Sequence, residues 1–497
     1  MRRSGREGMS VPGPSVPAMT QAVQAYAYLR PSAVHRTDAG DLLSLETSGG
    51  MTPAGSQAHP RFFQGFLTEP QAAACALLSV ADVAAARYYQ RLSPASLDPV
   101  VTGNGDRLRF ESFSGCCGVY ARLDVLASGV DGADIGHGTT NVDVNNPLRE
   151  ALARIGSSDP LHLEVGPDDV TVRTFDGPVV EKKVPLPERW LRGFAETQVI
   201  ASGFDLRGEV PAGEAVRFLR SLPRGTGRNA SRGAQWVIPS GRTLRLTTRP
   251  VPGAVCLPGP ERLVALQRVL RFAKALRLYG PAVTAGSQAV ASAWEVELPG
   301  MRLTLTLSPD ASRGFSGEGA VLEALSADEA AEDAELVGAL LAWEPTVDIA
   351  DLAVQSGLTP RRVRAALTRL GTAGRIGYDT AEAAYFHREL PYDAERVEKH
   401  NPRLRHARAL VRAGAVRLED GESATVTVDG HFHRVRSAAD GKLSCTCRWW
   451  AEYRGSRGPC KHALAVRIVR RAALDGAPEG AMDSTGTDQG TVSRAGA

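Results

Sequence analysis

Apolar residues recur along this chain in two periods, and the switching between them predicts a mixture of short helices and strands. From Pro70 to Leu92 they fall at helical spacing behind a first-turn proline, with Ser93-Pro94 as the stop. Trp190–Ile200 and Gly213–Leu222 read as shorter helices. Pro260–Tyr279 reads as a longer one, with Leu263, Leu266, Leu270 and Ala273 on one face. Period two takes over elsewhere. Leu108, Phe110 and Phe113 oppose Val119, Tyr120 and Leu123 across Ser114-Gly115 like a hairpin. Leu161–Val165 and Val170–Phe175 alternate around Gly166-Pro167, and Asp176-Gly177 leads into Val179–Val184. Trp294–Leu298 and Met301–Leu307 alternate around Pro299-Gly300. Strands and helices are interspersed without a regular βαβ period, so the expected class is α+β.

The same pattern sets expected boundaries. A chain of 497 residues suggests about three or four domains. Residues 1–20 read as a disordered leader and 476–497 as a disordered tail, because both lack a run of large apolar side chains. Residues 21–325 form an α+β body without a motif that names its role. The acidic, alanine-rich run Asp328–Glu335 opens a new unit over 327–390, whose pattern is three helices and a hairpin. A helical linker over 391–421 leads to a last unit at 422–475. No internal repeat of 20–50 residues is present.

Composition narrows the class. Hydrophobic residues make up 43% and charged residues 23%, which excludes wholesale disorder and a coiled-coil rod. Net charge is +3, yet Asp351–Asp475 carries 23 Lys/Arg against 14 Asp/Glu. A basic C-terminal quarter on a mildly acidic body points to an anionic partner. Seven cysteines are too few and too uneven for a disulfide framework. No stretch reaches the roughly 18 apolar residues of a membrane span. Nor does an apolar run follow Arg2, Arg3 and Arg6 as a signal peptide requires. The expected location is cytoplasmic, without membrane contact.

Lys442–Arg471 carries the chemistry. Cys445 and Cys447 form C-x-C, twelve residues follow, and Cys460 and His462 form C-x-H. Three thiolates and one imidazole are the donor set of a closed, tetrahedral, structural zinc site. Alternation along a strand points Cys445 and Cys447 to the same side. Pro459 and the helix-forming run Ala463–Ala473 place the second pair at a helix start, where exposed N–H groups favour thiolate at Cys460. Ala424–Val428 and His431–Val435 flank Asp429-Gly430, a type I′ hairpin signal, and Asp440-Gly441 turns the chain again. This stretch resembles a SWIM-type zinc finger, whose signature is C-x-C, a variable gap and C-x-H on a ββα fold. Trp449 and Trp450 after the second cysteine also suit that family. The resemblance covers Glu422–Arg471 and implies one structural zinc held by Cys445, Cys447, Cys460 and His462. It implies binding to DNA or to protein without choosing between them. The competing readings are reduced cysteines in a small core and a redox switch; a catalytic zinc lacks an open position. His431 and His433 read as strand residues, since four ligands exist without them.

The surround is basic. Lys442, Arg448, Arg454, Arg457, Lys461, Arg467, Arg470 and Arg471 stand against Glu452 alone. With Trp449, Trp450 and Tyr453 between them they suit phosphate contact plus stacking; the plainer alternative makes the aromatics the small unit's core. Upstream, Asp348–Gln355 reads as a helix, Ser356-Gly357-Leu358 as a turn, and Thr359 and Pro360 as the start of a second helix with Val363, Leu367 and Leu370 inward. Ile376–Tyr378 and Ala384–Phe386 follow as a hairpin. This resembles a helix-turn-helix of winged type, a family in which early residues of the second helix meet DNA, here Arg361 and Arg362. Winged units also serve as packing spacers.

Weaker signals read as structural. Ser221–Pro250 holds six arginines and no acid in an exposed loop, and Gly225-Thr226-Gly227 lacks the residues of a phosphate loop. Gly136–Asp143 is a polar loop in which His137 and Asp143 lack a nucleophile. Cys116 and Cys117 fall on opposite faces of a strand, as core. The expected function is a zinc-binding finger protein that contacts nucleic acid or acts as an adaptor, through Arg361, Arg362, Arg448, Arg454, Arg457 and Lys461. The alternatives are a protein–protein scaffold and, less favoured, an enzyme with its site in the N-terminal body.

Overall fold

The computed structural model describes residues 24–25, 28, 30–88, 98–132, 134–166, 185–186, 188–222, 234–315, 318–322, 330–390, 402–419, 423–438 and 443–475. The expected leader and tail, the pair Val170–Phe175 and Val179–Val184, the stretch Gly225–Gly233, residues 391–401 and the turn Asp440-Gly441 lie outside them.

The chain is a mixed α+β, multidomain protein. Ten antiparallel strands make its largest sheet. Across the sheet they run Asp205–Pro211, Ala275–Gly280, Ser292–Leu298, Met301–Leu307, Val119–Leu126, Arg107–Phe113, Val100–Asn104, His137–Val142, Thr47–Thr52 and Gly55–Gln57. Two of the expected body hairpins are present, with Phe110 opposite Leu123 and Trp294 opposite Leu305, whereas Leu161–Val165 pairs on both sides with other strands. A smaller five-stranded sheet contains the body's parallel pair, Leu161–Val165 beside Gly40–Leu45.

Alternation splits the large sheet into two unlike faces. Leu108, Phe110, Leu123, Val125, Leu303 and Leu305 form the apolar one. Helix Pro70–Ala85 packs there, buried on nearly every side, as its alanine-rich, apolar-all-round sequence requires. The other face carries Arg107, Arg109, Arg122, Asp124 and Arg302, which are also buried. They are covered by the hairpin Ile376–Asp379 and Ala384–His387. Asp379 sits among them. Arg109 reaches it at 2.7 Å, Arg122 at 2.8 Å and Arg302 at 3.2 Å. Arg109 and Arg122 also bond Asp124, at 2.8 and 3.0 Å. Burial alone would raise the Asp379 carboxyl, but Arg122, Arg109 and Arg302 outweigh it and hold it well below the usual carboxylate range. Nearby, Arg388 pairs with Glu111 and lies over the Phe194 ring.

Residues 330–387 have the expected order: helices Ala330–Leu340, Ile349–Ser356 and Pro360–Thr372, then the hairpin. Asp348 caps the second helix and Thr359 the third. The third helix packs on helix Glu188–Ala201 of the body.

Five expectations are corrected. Helix Pro70–Ala85 stops before Leu92, with Ala86 extended. Pro260–Tyr279 is not one helix: Pro260–Phe272 winds in 3-10 turns, and Ala275–Gly280 is a strand. Leu276, three residues after Ala273, continues the helical face but also alternates with Leu278 as in a strand, and pairing on both sides decides for the sheet. His137–Val142 is a strand rather than a loop, with the pair Val100–Asn104 and Thr47–Thr52 as neighbours. Cys116 and Cys117 are buried as expected, but in the hairpin turn, with Cys117 at φ 57°. Gln235–Ser240 and Thr243–Thr247 pair as a hairpin inside the expected arginine-rich loop.

Candidate metal centre and its basic surround

The last described stretch builds a four-stranded sheet in the order Val416–Leu418, Ser423–Val428, His431–Ser437, Leu443–Cys445. Asp429 at φ 49° and Gly430 at φ 75° make the expected type I′ turn. The stretch expected as linker contributes more than a connection. Helix Pro402–Arg412 packs on helix Lys461–Asp475, and Val416–Leu418 adds a strand to the sheet.

Cys445, Cys447, Cys460 and His462 are all buried, and their ligand atoms lie within 4.8 Å of one another. Ser444 and Thr446 point outward, so C-x-C works by strand alternation as expected. Cys445 Sγ lies 3.7 Å from His462 Nδ1. A tetrahedral zinc with ordinary bond lengths separates such atoms by about 3.6 Å. The donor set, its burial and this spacing fit one structural zinc ion.

Both later cysteines meet helix N-termini. Cys460 precedes Lys461–Asp475 and its Sγ accepts from the Ala463 N–H at 3.4 Å. Cys447 precedes a short helix, Arg448–Tyr453, which the sequence pattern did not announce. Hydrogen bonds from Cys445 and Cys460 favour its thiolate and pull the Cys447 thiol far down, while the bonds of Cys445 with Cys447 and Cys460 push Cys445 up. Cys460 is pushed up as well, so full deprotonation of the three sulfurs is left to a bound cation, whose binding releases protons.

Helix Lys461–Asp475 has two buried faces. Ala463 and Val466 pack on Ala424, Val426 and Val435 of the sheet. Leu464, Ala465 and Ile468 pack on Leu404 and Ala407, and on Ala195, Val321 and Leu322 of the body. The loop between the ligand pairs is pressed onto the body too. A Cβ on Gly458 would lie 2.3 Å from the Gly319 carbonyl oxygen, so only glycine fits. Arg403 donates to the carbonyls of Arg457 at 2.6 Å and Pro459 at 3.2 Å, and to that of Glu318.

The candidate contact residues separate into groups. Arg448, Lys461, His433, His462, Trp449 and Arg403 line one groove of about 320 Å³ beside the metal ligands. Among the described residues lining it there is no carboxylate. His433, a strand residue as expected, stacks on His462 with centroids 4.1 Å apart. His462 Nε2 and Trp449 Nε1 are buried without a hydrogen-bond partner among the described residues. Arginines of the chain itself already contact two of the aromatics. Arg403 lies 4.6 Å and Arg457 5.2 Å from the Trp449 ring, and Arg457 also lies over Tyr453. Arg454 is exposed just after the short helix. Arg361 is exposed on helix Pro360–Thr372, whereas Arg362 makes a two-pronged pair with Asp333 at 2.7 and 2.9 Å. The structure does not gather these two into the groove.

Sequence reasoning missed the groove and the ionic layer around Asp379. His433 and Arg403 carry no motif, and the charged face of the large sheet has the two-residue pattern of a solvent-facing surface.

Residues 425–468 match the family described as SWIM zinc finger. No curated protein matches the chain. Among solved structures, the crystal structure of proliferating cellular nuclear antigen from Entamoeba histolytica is 9% identical, with 50% of this chain and 99% of that one covered and a TM-score of 0.31, a likeness too weak to bear on the fold. No described helix is long and apolar enough to cross a membrane.

Proposed function

We propose that the C-terminal finger is a nucleic-acid-binding module in which zinc holds the fold and cationic side chains meet phosphate. One observation carries this reading: a groove lined by Arg448, Lys461, His433, His462 and Trp449 presents hydrogen-bond donors and no described carboxylate. Arg403, Arg448 and Lys461 beside the Cys447 and Cys460 ligands supply the positive charge that would select an anion. When bound, zinc cross-links strand to helix and stays closed to substrate. Cys445, Cys447, Cys460 and His462 hold it, and the helix N-termini stabilise the thiolates. Helices 330–372 serve here as a packed spacer, because Arg362 is engaged by Asp333 and the hairpin is buried on the body. The described cysteines form no disulfide, which suits a reducing compartment, where this reading places the chain.

Fluorescence anisotropy with labelled DNA or RNA tests the proposal. Binding should weaken by orders of magnitude between about 50 and 200 mM salt as counterions are released. Combining Arg448→Glu with Lys461→Glu should abolish duplex binding while leaving zinc content unchanged. Absence of affinity at low salt contradicts the proposal.

A further inference from the structure

The finger's sheet has a second face that the metal does not use. Val426, Val435 and Cys445 point toward the ligands and helix Lys461–Asp475. Their neighbours in sequence point away, and cross-strand register groups them: Arg417 with Thr425 and Arg434, Thr427 with Phe432, Ser423 with Arg436 and Ser444. Thr446 joins through its hydroxyl, which accepts from the Arg434 N–H at 3.0 Å. Arg417, Arg434 and Arg436 are exposed. So is Phe432, at 74%. The face has one described acid, Glu419, which accepts from Thr425 Oγ1 at 2.6 Å and Ser423 Oγ at 3.2 Å and lies 3.6 Å from Arg434.

A phenyl ring this exposed contributes nothing to a core. It is also the only large exposed apolar side chain described on this face. A protein partner calls for a wider apolar centre. A lone ring among three guanidinium groups and a row of hydroxyls instead matches a chain of alternating aromatic faces and phosphates.

We infer that this outer face binds single-stranded nucleic acid, with a base stacked on Phe432 and backbone phosphates on Arg434, Arg436 and Arg417. Duplex ends the match, because paired bases hide the faces that Phe432 would cover. The inference rests on the nucleic-acid reading of the finger but uses different residues from the groove. Strand alternation joins the two surfaces: His433, between Phe432 and Arg434, lines the groove on the opposite side.

The test uses the full chain, a labelled oligothymidine of about 12 nucleotides and a duplex of equal length. The single strand should bind more tightly than the duplex. Phe432→Ala should weaken single-strand binding roughly tenfold and leave duplex binding within about twofold, and Phe432→Tyr should restore it. Zinc content equal to that of the unaltered chain verifies that Phe432→Ala is folded. Single-strand binding unchanged in Phe432→Ala overturns the platform; if Arg448→Glu with Lys461→Glu still abolishes duplex binding, the groove reading survives. No binding of either probe at low salt overturns both.

Discussion

Two points in this protein draw distant groups together, and they use opposite chemistry. In the finger, three thiols and an imidazole surround a place for a cation, with Cys445 and His462 only 17 residues apart. In the body, an anion is surrounded by cations. Asp379 meets Arg109, Arg122 and Arg302 across separations of 270, 257 and 77 residues. The finger is a local device and its ligand spacing is written in one stretch of chain. The ionic layer is assembled by folding, and it fastens the hairpin of residues 376–387 to the large sheet. Metal coordination closes a small unit that has too little core of its own. The ionic layer lies against a large core and adds position more than cohesion, since buried pairs must offset their own desolvation.

Breaking each centre should separate these roles. Cys460→Ala removes a ligand, and structural zinc binding is worth about 10–16 kcal/mol in small fingers at neutral pH. Mass spectrometry should find one zinc in the unaltered chain and none in the variant. Asp379→Ala leaves the buried Arg109 and Arg122 with Asp124 as the one carboxylate that the two share, at a cost of about 3–5 kcal/mol. Denaturant titration should show it, along with earlier proteolysis of residues 330–387. The Asp379 carboxyl is depressed in the folded chain, so its contribution is intact above the unfolded value of about 3.9 and is lost as pH falls below it.

Glu196 has the opposite sign. Burial pushes it up to about 8, against the N–H groups of Val321 and Ala320 that it accepts from. Between about 4.3 and 8 the folded chain keeps a proton that the unfolded chain releases, so stability falls as pH rises through this range. Glu196→Gln should flatten that part of the slope between pH 5 and 8 in denaturant midpoints. The smallest effect belongs to Arg362→Ala. Its partner Asp333 is buried, but Arg362 is 46% exposed, so the loss should stay below about 1 kcal/mol.

The same contrast explains what could be read from the sequence. The four ligands, the Asp429-Gly430 hairpin, the helix after His462 and the order of elements in 330–387 were legible, because each depends on neighbours in the chain. The break after Phe272 was not, since Leu276 fits the helical face at three residues from Ala273 as well as a strand, and the pairing on both sides of Ala275–Gly280 chooses. Arg107, Arg109 and Glu111 alternate with Leu108 and Phe110 as a half-exposed strand would. Their burial depends on a hairpin more than 260 residues away. Within the site, His433 and Arg403 were illegible for the same reason. Trp449 was legible as an aromatic but not as one already covered by arginines.

Hydrogen exchange on the intact chain before and after zinc removal by a chelator tests the central contrast most directly. The account predicts that residues 443–475 lose protection while Arg107–Phe113, Val119–Leu126 and the hairpin of 376–387 keep theirs. Protection retained over 443–475 without metal, or lost across the body at the same time, would contradict it.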